Sequence, residues 1–168
     1  NFKIDLLIPC TNYDLNILSK KKKYFEEKKC ILSVSSYRLI QKLLDKEKTY
    51  HLCKSHKINI PKIYEQESDI KKLSNKKFIK KRKFGYSSKD MKIIFDPQKK
   101  DFEKNFIIQD YINGNELHFD ILNNFQGNFV SCCVKKKLSM RDGETYKAIT
   151  LLEKKYVKLA RKISKTFK

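Results

Sequence analysis

A chain of 168 residues is long enough to bury one substantial core, or one and a half small lobes. Its hydrophobic content of 40% argues against disorder despite a formal net charge of +20, and no apolar run approaches the roughly 20 residues that span a bilayer. The segment 2–9 is too short and wrongly flanked for a signal peptide, so a cytoplasmic protein without a membrane partner is expected.

The charge itself says little about partners. Of 39 basic residues only Arg38, Arg82, Arg141 and Arg161 are arginines, which leaves 35 lysines spread along the chain. Phosphate and base readers lean on arginine forks, and no helix-turn-helix, zinc-finger or RNA-binding signature is present, so nucleic acid is not an expected partner. The run Lys20 to Lys23 reads as a solvated helix face. The five cysteines, Cys10, Cys30, Cys53, Cys132 and Cys133, are odd in number and lack C-x-x-C spacing, which excludes a disulfide framework or a zinc site. At least one of Cys132 and Cys133 is expected in a core.

In chain order, Asn12 or Asp14 caps a predicted helix to about Lys28, with Leu15, Leu18 and Phe25 on one side. Residues 31–34 read as a short buried strand. Ser35 or Ser36 then caps a helix carrying Leu39, Ile40, Leu43 and Leu44, and a third helical stretch runs from Asp45-Lys46 to about His56. Pro61 opens a linker, and a short helix is predicted over 68–74. Strands are predicted over 77–83, 89–96, 106–111, 117–123 and 128–138, the last two joined by a turn at 124–127. Leu152, Tyr156, Leu159, Ala160, Ile163 and Phe167 recur at helical spacing, so the chain ends in an amphipathic helix.

Two segments carry chemistry. Lys81 ends an apolar run and is followed by Phe84-Gly85-Tyr86-Ser87-Ser88-Lys89, a small-residue loop whose amides suit phosphate oxygens. Then Gln109-Asp110-Tyr111-Ile112 leaves a strand through Asn113-Gly114, and Glu116, His118 and Asp120 alternate onto one face. With only four glycines in the chain, neither a P-loop nor a G-x-G-x-x-G fingerprint can be built.

On these residues the chain resembles the ATP-grasp superfamily, most closely its carbamoyl-phosphate-synthase-like branch. Lys81, Phe84, Gly85 and Ser88 match its phosphate-loop motif, and Gln109, Tyr111, Gly114, Glu116 and Asp120 match its second motif. Leu44-Asp45-Lys46 with Ile58-Asn59-Ile60-Pro61, and 134–138 with Arg141-Asp142-Gly143-Glu144, fall in the same order. Departures include Arg82 for proline, Lys83 for arginine, Ser87 and Asp90 for glycines, and Asp110 for glutamate. The lost glycines matter because close approach of backbone to phosphate favours residues without a Cβ.

The resemblance implies an α+β ATP-grasp fold of antiparallel sheets with flanking helices, preceded by the tail of a Rossmann-like α/β domain. It divides the chain into that tail at 1–44, a first lobe at 45–110 and the start of a second lobe at 111–168. It also implies an ATP-dependent ligase that joins a small-molecule carboxylate to an amine or ammonia through an acylphosphate, with ATP and Mg2+ as cofactors. Lys46, Lys81, Ser87 and Ser88 would hold phosphates, Gln109, Asp110, Tyr111 and Ile112 would read adenine, and Glu116 would hold the ribose. Lys135, Lys137, Arg141 and Glu144 would form the catalytic, substrate-side group, while the magnesium ligands are expected beyond Lys168, so that residues 1–168 bind ATP at most. Two other readings remain open: a non-catalytic scaffold derived from this fold, and a basic nucleic-acid binder.

Overall fold

The computed structural model describes residues 3–71, 73, 76–85, 90–141 and 144–167. Strand β1 (Leu6–Leu7) is followed by helices α1 (Leu15–Lys20) and α2 (Lys22–Glu27), strand β2 (Ile31–Leu32) and helices α3 (Tyr37–Leu43) and α4 (Lys46–Ser55). Next come β3 (Ile63–Tyr64), β4 (Lys77–Arg82), β5 (Lys92–Phe95), β6 (Phe106–Asp110), β7 (Leu117–Asn123), β8 (Phe129–Arg141) and β9 (Glu144–Leu151), and helix α5 (Lys154–Thr166) closes the order.

Three sheets result. β1 and β2 pair in parallel, the arrangement of an α/β unit, with Cys30, Leu32, Leu39 and Ile40 buried around them. The second sheet has the order β3-β6-β4-β5 and is antiparallel throughout. Its core side holds Tyr64, Ile70, Phe78 and Ile108, with Leu73, Ile94 and Phe102 packed against them. The Phe78 ring has no exposed surface and meets Tyr64 edge-on at 5.4 Å, so it anchors this lobe. The third sheet, β7-β8-β9, is an antiparallel meander covered on one face by α5. Leu117, Phe119 and Ile121 turn toward that helix, and Phe119 meets Tyr156 edge-on at 6.0 Å.

Several sequence expectations shift. The helix predicted over 14–28 is broken at Lys21, which caps the second piece instead of continuing the first. Lys20 and Lys23, three apart, would stand as like charges on one face of an unbroken helix, and Lys22 donates to the Val34 carbonyl at 3.0 Å. In place of the helix predicted over 68–74, the described residues form one 3-10 turn at Glu67–Asp69. β9 has no counterpart among the predicted strands, although its Thr, Tyr and Ile content suits a strand and Asp142-Gly143 is a hairpin dipeptide. Cys132 and Cys133 are half-buried, the fully buried thiols being Cys30 and Cys53. Among the described residues no helix is long and apolar enough to cross a membrane.

Candidate nucleotide site

Side chains alternate along a strand, so Phe78 and Lys80 share one face of β4 while Lys77, Ile79 and Lys81 share the other. Lys80 is engaged on the core side by Glu103 at 2.6 Å and Asp101 at 3.4 Å. On the second face, the register sets Gln109 beside Ile79, Ile107 beside Lys81, and Ile93 and Phe95 of β5 beside Ile79 and Lys77. Ile93 and Phe95 are half or more exposed there, which leaves an apolar surface flanking the Lys81 ammonium.

Lys46 reaches the same place from α4. Asp45 ends the preceding chain in an extended conformation and caps the helix, its Oδ1 accepting from the amides of Glu47 at 2.9 Å and Lys48 at 3.2 Å. The Lys46 amide donates to the Lys83 carbonyl at 3.1 Å, and its Nζ donates to the Gly85 carbonyl at 3.0 Å. Gly85 has φ +110°, a conformation that side chains with a Cβ rarely adopt, so glycine is needed at this entry to the loop. Burial, and then the Lys46 charge, push the Lys81 ammonium below its usual range. Burial lowers Lys46 as well, against the opposing pull of Asp45. Two cations that hold their protons weakly in one partly enclosed place are poised for an anion, which would relieve both penalties. Ser87 and Ser88, predicted to join them, lie outside the described residues.

The predicted adenine-reading strand end is narrower than its sequence suggests. The Asp110 amide donates to the Lys62 carbonyl at 3.0 Å and the Tyr111 amide to the Lys77 carbonyl at 3.2 Å, so both donors are already committed. The Asp110 carboxylate turns to the core side, where it accepts from the Tyr64 hydroxyl at 2.8 Å and pairs with Lys76 at 2.7 Å. Gln109 faces the Lys81 side, and Ile112 is exposed, with no partner for its amide among the described residues.

On the third sheet, Glu116, His118 and Asp120 share the face away from α5 with Cys133, Lys135 and Lys137. The cations there are paired: Lys137 with Glu116 at 2.6 Å, and Lys135 with Asp120 at 2.5 Å, while His118 Nε2 lies 2.9 Å from the second Asp120 oxygen. The Lys135 hydrogen bond holds the Asp120 carboxyl below the usual carboxylate range. Ion pairs open to solvent on at least one side contribute little to stability, so a ligand can displace them. Arg141 and Glu144 are register partners at the end of β8 and the start of β9. Extra residues at Leu138 in β8 and Tyr146 in β9 interrupt the register between that end and Lys137. The four residues predicted as one substrate-side group therefore fall into a pair within β8 and a pair where β8 ends and β9 begins.

A family model for the ATP-grasp domain matches residues 43–168. The chain belongs to the ATP-grasp family. No curated protein matches it. Among solved structures, the biotin carboxylase domain of the Hydrogenobacter thermophilus 2-oxoglutarate carboxylase, in complex with MgADP, ADP and bicarbonate, superposes with a TM-score of 0.73 at 11% identity. That match covers 96% of this chain and 41% of that one. N5-carboxyaminoimidazole ribonucleotide synthetase from Thermotoga maritima gives 0.61 at 20% identity, covering 96% and 43%. D-alanine–D-alanine ligase from Bacillus anthracis gives 0.63 at 17% identity, covering 98% and 61%. At these identities the likeness shows the fold, and the chain spans about two fifths to three fifths of the length of these structures.

Two features of this ATP-grasp chain escape sequence reading. Lys83 looks like one more loop cation, yet its ammonium is held by the Glu47 carboxylate and lies 3.8 Å from Asp45. Glu47, His51 and Glu65 bring three donor atoms within 4.8 Å of one another. The i, i+4 spacing of Glu47 and His51 on α4 is a signal for the first two, but the chain's own Lys83 cation already occupies Glu47.

Proposed function

We propose that residues 1–168 form the nucleotide-holding part of an ATP-dependent carboxylate–amine, or carboxylate–ammonia, ligase of the carbamoyl-phosphate-synthase-like kind. The observation that carries this reading is the convergence of Lys46 and Lys81 from separate elements onto one partly enclosed place beside an apolar sheet face. Triphosphate needs flexible point charges from more than one wall, and adenine needs an apolar slot with a backbone donor at its edge; Ile93, Phe95 and the Ile112 amide supply these. Glu116 stands at the start of β7, where a ribose hydroxyl would replace Lys137 as its partner.

In this reading the substrate carboxylate attacks the γ-phosphorus of ATP, ADP leaves, and an amine then attacks the acyl carbon and expels phosphate. Lys46 and Lys81 neutralise the phosphates and align them, while Lys135 and Lys137, released from their carboxylates, face the acyl group. The domain division at residues 44 and 110 is part of the proposal, as are the roles of Arg141 and Glu144 where β8 ends and β9 begins. Magnesium would supply charge neutralisation on the phosphates. Among the described residues the three-donor group is Glu47, His51 and Glu65, whose Glu47 already pairs with Lys83, so no side chain here is assigned to the metal.

The test is a thermal-shift titration of residues 1–168 with MgATP, MgGTP and duplex DNA. A ligand that binds only the folded state adds about 2.7 kcal/mol of stability at one hundred times its Kd. A rise in Tm with MgATP that Lys81→Met removes is the expected result. A response to DNA with a steep salt dependence, and none to MgATP, would replace this reading with the nucleic-acid binder.

A further inference from the structure

Lys83 stands in the phosphate-loop motif, yet its ammonium pairs with carboxylates at the start of α4. Three of its groups join three elements. Its amide donates to the Asn105 carbonyl at 2.8 Å, just ahead of β6, and its carbonyl accepts from the Lys46 amide at 3.1 Å. Its Nζ donates to Glu47 and lies 3.8 Å from Asp45 Oδ2. Asp45 is only 2% exposed, and its other oxygen caps the helix that Lys46 begins.

We propose that Lys83 is a positioning residue for the phosphate site, clamping the first turn of α4 to the end of β4 through Glu47 and Asp45 and thereby fixing where Lys46 meets Lys81. The inference rests on the reading of Lys46 as a phosphate ligand. The physical argument is the buried carboxylate. Asp45 satisfies two amides with one oxygen, and the Lys83 charge balances the rest; without it, a nearly fully buried carboxylate is left with its two capping amides and the longer-range pull of Lys46. The first turn of α4 would then shift to hydrate Asp45, carrying the Lys46 amide off the Lys83 carbonyl and Lys46 Nζ off Gly85. The hydrogen bond to Glu47 raises the Lys83 pKa, so the clamp stays charged across neutral pH.

The experiment is a double-mutant cycle of Lys83→Met and Lys46→Met read by MgATP Kd, run beside acetylation footprinting of Lys46 in the apo protein. Lys83→Met is expected to weaken MgATP about tenfold, a coupling of the size contacting residues show, and to add nothing in the Lys46→Met background. Lys83→Arg, whose fork reaches both carboxylates, keeps the affinity within about twofold. Footprinting is expected to show faster acetylation of Lys46 in Lys83→Met and an unchanged rate in Lys83→Arg. Additive losses in the cycle, or unchanged Lys46 reactivity in Lys83→Met, would overturn the clamp. A wild-type protein that ignores MgATP while Lys46 loosens on Lys83→Met would sink the nucleotide reading and leave the clamp standing.

Discussion

Lys46 lies close enough to Lys81 to depress its proton affinity, although one side chain starts at a helix N-terminus and the other near the end of a strand. Folding therefore places two like charges together and partly removes both from water. Such an arrangement is unfavourable on its own and becomes favourable when an anion neutralises it.

The pH dependence follows. A lysine whose folded pKa lies below its unfolded value of 10.5 destabilises the fold while charged, and that penalty is relieved as pH rises from the lowered value toward 10.5. Tm of the wild type minus Tm of Lys81→Met is expected to rise through this alkaline window. In the same window nucleotide binding should take up protons, seen as a calorimetric binding enthalpy that changes with the ionisation enthalpy of the buffer. A difference that stays flat with pH, and a buffer-independent enthalpy, would show that the two ammonium groups are not perturbed.

The core of the second sheet predicts its own response. Phe78 is fully buried between Tyr64 and Ile108, so Phe78→Ala removes a ring from a packed site and should cost about 3–5 kcal/mol. Exposed Phe95, on the other face, should cost under about 0.5 kcal/mol as Phe95→Ser, since surface changes seldom do more. Urea unfolding of the two variants checks the pair; equal losses would mean the faces of β4 and β5 are reversed.

Periodicity makes one strand face legible in the sequence. The alternation at Glu116-His118-Asp120 follows from strand geometry, and that face falls where the pattern puts it, whereas Phe78-Ile79-Lys80-Lys81 runs apolar-apolar-charged-charged and its faces come from pairing with β5 and β6. What the pattern does not carry is the identity of partners at a distance. Nothing local distinguishes Lys83, bound to Glu47, from Lys81, because both are lysines in one motif and their difference is set by where α4 packs. Asp110 is similar: it stands in the adenine-reading motif, but register across Phe78 turns its carboxylate to the core side and Tyr64. The hairpin to β9 is readable from Asp142-Gly143 between strand formers, and taking Arg141 to Glu144 as a motif alone obscures it.

Gly85 offers a test of loop geometry. At φ +110° any residue with a Cβ is strained by about 1–3 kcal/mol, although the space around the glycine is open. Gly85→Ala should therefore relax by moving the loop entry, which takes the acceptor carbonyl away from Lys46 Nζ. A weaker MgATP Kd with little change in urea midpoint is the expected pattern. Unchanged affinity would mean that the loop entry does not set the position of Lys46.

Glu116 is paired with Lys137 at 2.6 Å, and its side chain is 72% exposed. A carboxylate so open to solvent contributes little to stability, so Glu116→Ala should change the urea midpoint by no more than surface substitutions usually do, about 0.5 kcal/mol. Its effect on ligand should be specific. If the carboxylate accepts from ribose hydroxyls, charge-assisted bonds of roughly 1.5–3 kcal/mol are available to ATP and absent from 2′,3′-dideoxy-ATP. The wild type should then prefer ATP, and Glu116→Ala should bind the two nucleotides alike. If Glu116→Ala weakens both equally, the side chain acts on the cleft only through Lys137, and the ribose assignment falls while the phosphate side, built on Lys46 and Lys81, is untouched.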